Sequence, residues 1–377
     1  MENKNILIVF TDSHLPYSPT VLNIFNGLRK KGHSVKMITL NPPDYYAQDK
    51  IEDNDIIYIS EKNPLLKRVL KKILIKFYKK SSPLRIKKEL FTAKADVFVK
   101  EIKKHKADTI IAIDFFSLWC VQQTKQTANL VSLEIYEGDV YYQNSNLSMI
   151  DLVIIQSVER YNHLFPPDLK IPSFIYPNSP VYNDFDPKDI VRDETHLIFC
   201  GSAVPDFGII SILDFLLDYH EFKLTIKGPM PKGVKESIKN FYQVLVDEKR
   251  LFINEEYMDA DVLTKFVARF RIGFVFYDFY RYDHLRTFNY YTAPSGKLFQ
   301  YLNSGVPVIT NKIAGFKFIE DNNAGRLIPY LSSLQIKSAI DSINQNYDEL
   351  IKNSKMLSKK FDNNIFTDSL IDNFFLN

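Results

Sequence analysis

The chain has 377 residues, 45% of them hydrophobic and 14% aromatic, which is enough to bury two cores and favours two domains over one. Its 48 basic residues nearly balance 45 acidic ones, and the net charge of +3 gives no overall case for nucleic-acid binding. Cys120 and Cys200 lie far apart in apolar stretches, which predicts reduced core thiols and an intracellular protein. The N-terminus lacks a signal-peptide pattern and no apolar run reaches the length of a membrane span. We therefore expect a cytoplasmic chain, either soluble or peripheral to a membrane.

The first half begins with a strand–helix–strand pattern. Ile6–Phe10 has strand length, a helical pattern runs from Thr20 to Lys31, and the next strand is predicted at Val35–Leu40. No Gly-x-Gly-x-x-Gly follows the first strand, which argues against the usual dinucleotide oxidoreductase. The pattern predicts a parallel sheet covered by helices, with further strands at Asp55–Ile59, Thr109–Ile113, Leu130–Ile135 and Leu152–Ile155.

A basic segment at 62–88 carries the strongest charge signal of the chain. It contains no acidic residue between its lysines and arginines, and its apolar residues recur at helical spacing from 66 to 77. This pattern is typical of a helix on an anionic membrane surface, and a solvated helix packed on its own domain is the alternative. We predict a helix from Pro64 to Lys80 whose membrane or acceptor surface consists of Lys67, Arg68, Lys71, Lys72 and Lys76.

Candidate chemistry in the first half lies where predicted strands end, because open α/β sheets bind ligands at the carboxyl ends of their strands. A reaction that turns a hydroxyl group into a nucleophile needs a carboxylate or a histidine to take the hydroxyl proton. Each candidate could instead be a helix cap or turn residue, and the sequence does not choose the base. The catalytic candidates are His14, Asp114, Glu137 and Asp139.

A second strand–helix cycle follows a stretch rich in proline and aspartate at Pro177–Asp193, which reads as a linker. The final segment from Leu334 is predicted to be helical. The predicted domains are 1–176, a linker at 177–194, and 195–350, followed by a C-terminal helix at 351–377. The strands of the second cycle are predicted at His196–Cys200, Leu224–Ile226, Leu251–Ile253, Ile272–Phe276 and Val306–Ile309.

The stretch from Asn289 to Thr310 combines a polar-aromatic loop, a short helix, a glycine stop and a strand. Ser295 can cap a helix whose first turn contains Gly296 and Lys297, and Gly305 follows its last turn. A helix N-terminus exposes unpaired N–H groups and the positive end of the helix dipole, so these residues could hold a phosphate group. The alternative is an ordinary α/β connection with an exposed lysine.

This stretch resembles the C-terminal-domain signature of GT-B glycosyltransferases of the family-4-like, bacterial surface-polysaccharide type. Their signature is a Pro-x-Lys-Leu-x-Glu-Tyr-Leu-like helix followed by Gly-x-Pro-Val-Ile, and Gly315–Gly325 resembles the turn and short helix that come next. The resemblance implies a GT-B fold, with two Rossmann-like domains facing a central cleft and the 351–377 helix returning to the first domain. Gln300 and Thr292 stand where retaining members carry glutamates, so retaining and inverting mechanisms both remain open.

The resemblance also implies a donor site. Gly201 and Ser202 end the first strand of the second half, where relatives continue with an arginine and a lysine that hold the diphosphate. Residues 202–208 contain neither, so that role passes to Lys227 and Lys297 as candidates. The remaining donor candidates are Tyr257 and Met258 near the nucleobase, Arg281 in the loop that would contact the donor sugar, and Ser295, Gly296 and Gln300.

The implied function is transfer of a sugar from a nucleotide-diphosphate-sugar donor to a growing glycan in cell-surface polysaccharide synthesis, with a lipid-linked acceptor as one option. The resemblance implies a hexosyltransferase-like enzyme that is peripheral at the inner face of the plasma membrane. We expect no cofactor and no metal, since no metal-ligand spacing occurs. One alternative is a GT-B sugar-nucleotide epimerase, which would leave the basic segment unexplained. The other is a non-catalytic GT-B-like subunit.

Overall fold

The computed structural model describes residues 3–42, 50–60, 94–133, 140–187, 190–256, 258–278, 287–292 and 295–375. The chain divides into two units. Unit 1 contains Met1–Tyr176 together with Thr367–Asn377, and unit 2 contains Pro177–Phe366. Residues 177–194, predicted as a linker, thus fall within unit 2. The helix predicted at 351–377 is shared, with its last part in unit 1.

Unit 1 is built on a parallel sheet with the strand order β3-β2-β1-β4-β5-β6-β7 over the described residues. Strands such as β1 and β4 are almost continuously apolar and buried, as expected where helices cover both faces of a parallel sheet. The strands are β1 (Asn5–Phe10), β2 (Ser34–Leu40), β3 (Ile56–Ile59), β4 (Thr109–Ile113), β5 (Ala128–Ser132), β6 (Ile150–Ile155) and β7 (Ser173–Ile175).

Helices follow the strands of unit 1. The first helix buries one stripe, including Val21, Ile24 and Leu28, at the spacing of a single helical face. A further helical segment spans 94–102. The helices are α1 (Pro19–Lys30), α2 (Asp114–Gln122), α3 (Val140–Asn144) and α4 (Val158–Leu164).

Unit 2 contains a second parallel sheet, ordered β10-β9-β8-β11-β12-β13. Its strands are β8 (His196–Cys200), β9 (Lys223–Lys227), β10 (Leu251–Asn254), β11 (Gly273–Val275), β12 (Val308–Asn311) and β13 (Gly325–Ile328). Its helices are α5 (Ile209–Asp218), α6 (Lys232–Phe241), α7 (Gln243–Asp247), α8 (Ala260–Val267), α9 (Thr287–Thr292), α10 (Gly296–Asn303), α11 (Lys317–Asp321), α12 (Ser333–Gln345) and α13 (Tyr347–Lys360).

Two apolar clusters cover the two faces of the unit 2 sheet. Along β8, Leu197 and Phe199 belong to one cluster, while Ile198 and Cys200 belong to the other. Successive side chains of a strand point to opposite faces, so the central strands β8, β11 and β12 contribute to both clusters. The carboxyl ends of the strands are thereby fixed at one edge, where the candidate donor residues lie.

The last helix, α14 (Asn363–Phe374), runs from unit 2 into unit 1. Within unit 1 the hydroxyls of Thr367 and Tyr176 are 2.6 Å apart, and the ammonium of Lys31 is 2.9 Å from a carboxylate oxygen of Asp372. A methyl group on Gly27 would lie 2.3 Å from Thr367, so this close contact between helices requires glycine. The C-terminal residues are therefore an integral part of unit 1.

The prediction of an α/β chain with two Rossmann-like parallel sheets is confirmed. Two strands, β7 and β13, were not predicted: β7 has three residues, and Arg326 interrupts the apolar run of β13. The strand predicted at Val306–Ile309 lies at Val308–Asn311 instead. The N–H of Val306 donates to the carbonyl of Tyr301 at 2.9 Å and so belongs to the end of α10, and Pro307 has no N–H to donate to a neighbouring strand. β5 ends at Ser132 rather than Ile135.

Within the described ranges, no helix combines the length and the apolarity needed to cross a bilayer. The basic helix predicted at 64–80, with Lys67, Arg68, Lys71, Lys72 and Lys76, lies outside the described residues.

Candidate functional site

The carboxyl end of β8 is closely packed against its neighbours through two glycines. Gly201 has a φ of +112°, and a Cβ there would lie 2.5 Å from Cε of Lys297. A Cβ on Gly228, which follows β9, would lie 2.5 Å from the carbonyl oxygen of Gly201. The N–H of Gly201 donates to the carbonyl of Lys227 at 2.7 Å. Glycine at both positions therefore lets the two strand ends and the stem of Lys297 approach one another.

Lys297 lies in the first turn of α10 and directs its ammonium toward aromatic rings. The nitrogen is 3.7 Å from the ring centroid of Phe207 and 4.6 Å from that of Phe199. No described residue gives it a hydrogen-bond acceptor or a carboxylate. Burial lowers the pKa of Lys297 to about 7, and the nearby Cys200 opposes the shift. The charged form of this lysine therefore lacks an anionic partner among the described residues of the site, and an incoming anion would stabilise it.

Lys227 is the last residue of β9, and its ammonium has hydrogen-bond acceptors among the described residues, which the ammonium of Lys297 lacks. Its buried ammonium donates to Asn254 Oδ1 at 3.0 Å and to the carbonyl oxygen of Glu256. It therefore fixes the loop after β10 that leads to Met258, which is partly buried. Burial raises the pKa of Cys200 to about 11, and the charges of both nearby lysines oppose that rise.

The start of α10 lies where the sequence predicted it, but without the side-chain cap that was expected from Ser295. Ser295 has an extended backbone as the N-cap, with φ −64° and ψ 137°, and its side chain makes no capping hydrogen bond. A Cβ on Gly296 would lie 3.2 Å from Nδ2 of Asn178. The N–H groups of Gly296 and Lys297 donate to no acceptor in the described part of the chain. These donors remain available for an anion at the helix N-terminus.

Gln300 lies one turn further along α10. Its Nε2 donates to Thr264 Oγ1 on α8 at 3.0 Å, and Thr264 in turn donates to the carbonyl of Ala260 at 2.7 Å. Its Oε1 accepts no hydrogen bond from a described residue. The amide orientation is therefore fixed by α8, and the oxygen can still accept a bond from a ligand hydroxyl.

Stacked rings form one wall beside Lys297. Tyr277 stacks on Tyr290 with 4.5 Å between centroids and on Phe316 with 5.7 Å, and Phe207 packs edge-on against Tyr277 at 5.8 Å. Asn311 exchanges two hydrogen bonds with the backbone of Tyr277, at 2.6 and 3.0 Å. This aromatic wall fixes Phe207, the ring that meets the Lys297 ammonium.

The other residues predicted to bind the donor substrate are Ser202, Tyr257 and Arg281. Ser202 is partly buried at the end of β8, next to Ala203, whose N–H donates to the carbonyl of Pro229 at 3.0 Å. Tyr257 and Arg281 lie outside the described residues. The structure thus brings Gly201, Ser202, Lys227, Ser295, Gly296, Lys297 and Gln300 to the carboxyl end of the unit 2 sheet.

In unit 1, two catalytic candidates lie at the ends of neighbouring strands. Asp114 follows β4 with a φ of +61°, and its Oδ1 accepts the N–H of Leu133 at 2.6 Å, which joins the ends of β4 and β5. His14 follows β1 with an exposed side chain, and its N–H donates to Asp12 Oδ1 at 3.1 Å. β1 and β4 are adjacent, so both residues belong to the same edge of the sheet. Glu137 and Asp139 lie outside the described residues.

Three residues of the site escaped the sequence analysis. Phe207 lies in the segment 202–208, which lacks the arginine and lysine of the resembled family, and an aromatic ring there is the available signal. Asn254 and Thr264 carry no sequence signal for their roles, because their partners Lys227 and Gln300 are 27 and 36 residues away. Over the described ranges, no three His, Cys, Asp or Glu residues are grouped so as to hold a metal ion.

Comparison with known proteins identifies the fold. Residues 239–374 match the family model described as glucosyltransferase 3-like, C-terminal domain. No curated protein sequence matches the chain. Sucrose-phosphate synthase from Thermosynechococcus elongatus superposes with a TM-score of 0.71 at 16% identity, covering 99% of this chain and 98% of the other.

Two further solved structures share the fold over nearly the whole chain. The pneumococcal O-GlcNAc transferase GtfA, solved with UDP and GlcNAc, has a TM-score of 0.65 at 13% identity and 99% coverage of both chains. A UDP-N-acetylglucosamine 2-epimerase from Listeria monocytogenes, described as putative, has a TM-score of 0.60 at 11% identity, covering 98% and 95%. The predicted GT-B resemblance is confirmed: the chain has the GT-B fold, with a glucosyltransferase 3-like match over residues 239–374.

Proposed function

We propose that the protein is a glycosyltransferase whose unit 2 binds a nucleoside-diphosphate sugar. Lys297 and the N-terminus of α10 would hold the diphosphate. The observation that carries this proposal is the ammonium of Lys297, which has aromatic neighbours but no anionic partner among the described residues. The free N–H groups of Gly296 and Lys297 add hydrogen-bond donors at the positive end of the helix dipole.

With the diphosphate held at Lys297, the other parts of the donor would contact the residues around it. Gln300 Oε1 lies one turn along α10 and is proposed to accept a hydrogen bond from a ribose or sugar hydroxyl. The loop fixed by Lys227 leads to Tyr257 and Met258, which are proposed to meet the nucleobase. The aromatic wall of Tyr277, Tyr290 and Phe316 would limit the donor on the side of Phe207.

For the acceptor side we propose that His14 takes the proton of the acceptor hydroxyl. Its side chain is 54% exposed, whereas the carboxylate of Asp114 accepts the Leu133 N–H and so positions the β4 and β5 ends. Neutral imidazole can serve as a general base near neutral pH. This assignment corresponds to an inverting transfer, in agreement with the absence of the two glutamates at Thr292 and Gln300.

The acceptor is proposed to be a growing glycan of the cell surface, and the basic segment at 62–88 motivates a membrane-bound acceptor. That segment combines an apolar stripe with a basic face, a pattern typical of helices that lie on anionic bilayers. The proposed location is therefore the cytoplasmic face of the membrane. It rests on the sequence pattern.

A sugar-nucleotide epimerase is the second candidate, favoured by the fold shared with the Listeria epimerase. An epimerase would bind the same donor and convert it without any acceptor. The two functions differ in the fate of the sugar, which mass spectrometry of the products reveals.

The test is a thermal-shift screen with nucleoside diphosphates and their sugar derivatives, followed by product analysis. A ligand at 100 times its dissociation constant should stabilise the fold by about 2.7 kcal/mol. A glycosyltransferase then releases the nucleoside diphosphate and attaches the sugar to an acceptor. The absence of any shift with every nucleotide at millimolar concentration would contradict the proposed function.

A further inference from the structure

A cavity of about 770 Å³ lies in unit 2, away from the candidate donor site. Among its lining residues, Arg192 precedes β8 and Arg271 precedes β11, where its N–H donates to the carbonyl of His196 at 2.9 Å. The strands are parallel, so these residues mark the amino-terminal edge of the sheet. Gly201 and Lys227 lie at the opposite edge.

Two guanidinium groups share one tyrosine ring in this cavity. The guanidinium carbon of Arg271 is 3.2 Å from the ring centroid of Tyr347, and that of Arg192 is 5.8 Å from it. Arg192 Nη1 donates to the Tyr347 hydroxyl oxygen at 3.2 Å, and that hydroxyl donates to the carbonyl of Arg271 at 2.8 Å. The ring and its hydrogen bonds thus hold both cations in fixed positions.

Neither guanidinium has a carboxylate partner in the described part of the chain. Arg192 also donates to the carbonyls of Ala268 at 2.7 Å and Gly305 at 3.2 Å, so part of its fork is used structurally. Arg271 Nε donates to Asn344 at 3.0 Å, and its two Nη groups donate to no described residue. Guanidinium groups stay charged at all physiological pH values, so both cations are present without a directly paired carboxylate among the described residues.

Arg250 is an arginine with a structural role, and backbone carbonyls accept the hydrogen bonds of its guanidinium. Its side chain is buried and donates to the carbonyls of Phe222, Leu216 and Tyr219, and it also pairs with Glu248 at 3.1 Å. Arg271 has no comparable set of acceptors, although it faces a cavity of ligand size. The contrast indicates that the donors of Arg271 serve something that enters the cavity.

The cavity wall is cationic overall. It contains five basic side chains, the two arginines and three lysines of α13, against three aspartates. Lys355 is used structurally, since its ammonium donates to the carbonyls of Asn183 at 2.5 Å and Asn303 at 3.2 Å. Lys352 and Lys359 are exposed at the mouth. The three aspartates of the wall are Asp184, Asp186 and Asp348.

We propose that this cavity binds a phosphate-bearing small molecule, with Arg271 and Arg192 as the groups that contact its phosphate. A guanidinium fork matches two phosphate oxygens at once, and two such cations match the charge of a phosphate dianion. The volume lies within the range of about 300–1,000 Å³ that holds small-molecule ligands. The site is separate from the donor site and does not depend on the proposed function.

The test is isothermal titration calorimetry of the full chain with inorganic pyrophosphate in the presence of saturating UDP, which occupies the proposed donor site. The same titration is made on Lys297→Ala without UDP, so that a failure of the donor assignment cannot hide this site. We expect one pyrophosphate to bind in both cases. Arg271→Gln should weaken that binding at least tenfold, since it removes a charge-assisted bidentate contact.

Controls separate the cavity from the general surface charge. Arg269→Gln changes an exposed arginine two residues away, whose guanidinium lies over Phe266 at 5.8 Å, and it should leave the affinity within twofold. Lys352→Gln provides a second change at the cavity mouth on an exposed residue and should weaken binding severalfold even if Arg271→Gln folds poorly.

Four results would overturn the proposal. The first is no pyrophosphate binding at millimolar concentration to the native chain even without UDP, and the second is binding that Arg271→Gln and Lys352→Gln leave within twofold. The third is binding that UDP and Lys297→Ala both abolish, which would place the anion at the donor site and support the proposed function instead. Equal affinity for succinate would contradict the assignment to phosphate.

Discussion

At the scale of single residues, the donor site depends on Lys297. Its ammonium lies 3.7 Å from the Phe207 ring centroid, next to a helix N-terminus, and has no anionic partner among the described residues. A phosphate is the anion that both the helix end and the lysine favour.

We expect Lys297→Ala to weaken nucleoside-diphosphate binding by about 1.5–3 kcal/mol, the range for a hydrogen bond to a charged group. Calorimetry measures this difference directly. Lys265→Ala is the matched control, because Lys265 is an exposed lysine of α8 and should not affect the affinity. An unchanged affinity in Lys297→Ala would remove this lysine from the site.

The affinity for a nucleoside diphosphate should depend on pH through the protonation of Lys297. Burial lowers its pKa to about 7, so above pH 7 the folded free protein holds this lysine largely neutral, while the unfolded chain keeps it charged up to about pH 10.5. The group therefore makes stability rise with pH across this window. A bound diphosphate favours the ammonium, so binding above pH 7 should take up a proton.

Nucleotide affinity should accordingly fall as pH rises above 7, approaching about tenfold per pH unit well above the pKa. The dependence of the binding enthalpy on buffer ionisation measures the proton uptake. Lys297→Arg keeps its charge at every pH in the window and should remove the uptake. Proton uptake that persists in Lys297→Arg would assign it to another group.

Because Gln300 stands where retaining GT-B members carry a glutamate, the sequence predicts that Gln300→Glu is tolerated, but the contacts of Gln300 modify that prediction. Its Nε2 donates to Thr264 Oγ1, whose own proton goes to Ala260 O, so a glutamate would place two acceptors face to face. We expect Gln300→Glu to lower the free energy of unfolding by about 0.5–1.5 kcal/mol, the net value of one hydrogen bond. In a double-mutant cycle with Thr264→Val, most of that loss should disappear. Full additivity of the two changes would show that this contact is unimportant.

At the scale of elements, the end of β8 and the start of α10 form the donor site because glycine lets them approach. A Cβ on Gly201 would meet the stem of Lys297 at 2.5 Å, and one on Gly228 would meet the Gly201 carbonyl at the same distance. The site is therefore sensitive to a single added carbon.

Gly201→Ala should lower the free energy of unfolding by about 1–3 kcal/mol and also displace Lys297, which weakens nucleotide binding. Gly32→Ala is the matched control, because Gly32 also has positive φ, +93°, but a Cβ there meets nothing within 4 Å. Thermal unfolding and calorimetry on both variants separate backbone strain from the clash. Equal nucleotide affinity in the two variants would contradict the proposed role of Gly201.

At the scale of the whole molecule, the sequence predicted the two parallel sheets well, because their strands are buried on both faces. Runs such as Ile6–Phe10 and Leu197–Cys200 are apolar throughout and can be recognised although they show no alternation of apolar and polar residues. Gly305 and Ser295 likewise marked the ends of α10. Short or interrupted strands such as β7 and β13 lack this signal.

The candidate site was predicted only in part, for a physical reason. The sequence shows which residue types follow each strand, but the partners of their side chains come from distant positions. Lys227 and Lys297 were equal candidates for the diphosphate, and only the contacts of Lys227 with Asn254 and Glu256 separate them. The aromatic neighbours of Lys297 are Phe199 and Phe207, which are likewise distant from it in the sequence.

Membrane association is a prediction for the whole molecule. Each lysine or arginine near an acidic bilayer contributes about 1 kcal/mol, so replacing Lys67, Lys71, Lys72 and Lys76 by glutamine should release the protein from anionic vesicles. High salt should have the same effect on the native chain. Co-sedimentation measures both, and nucleotide binding should survive in the variant. Vesicle binding that is absent from the start, or unaffected by the four changes, would assign the segment to a solvated helix.

Hydrogen exchange of the full chain with and without the nucleoside diphosphate found in the ligand screen tests the location of the donor site. We expect slower exchange at the amides of residues 201–203 and 296–300, where the β8 end meets the start of α10. Lys297→Ala should reduce that protection at the same ligand concentration. Protection confined to other parts of the chain, with these amides unchanged under saturating ligand, would contradict the assignment of the donor site.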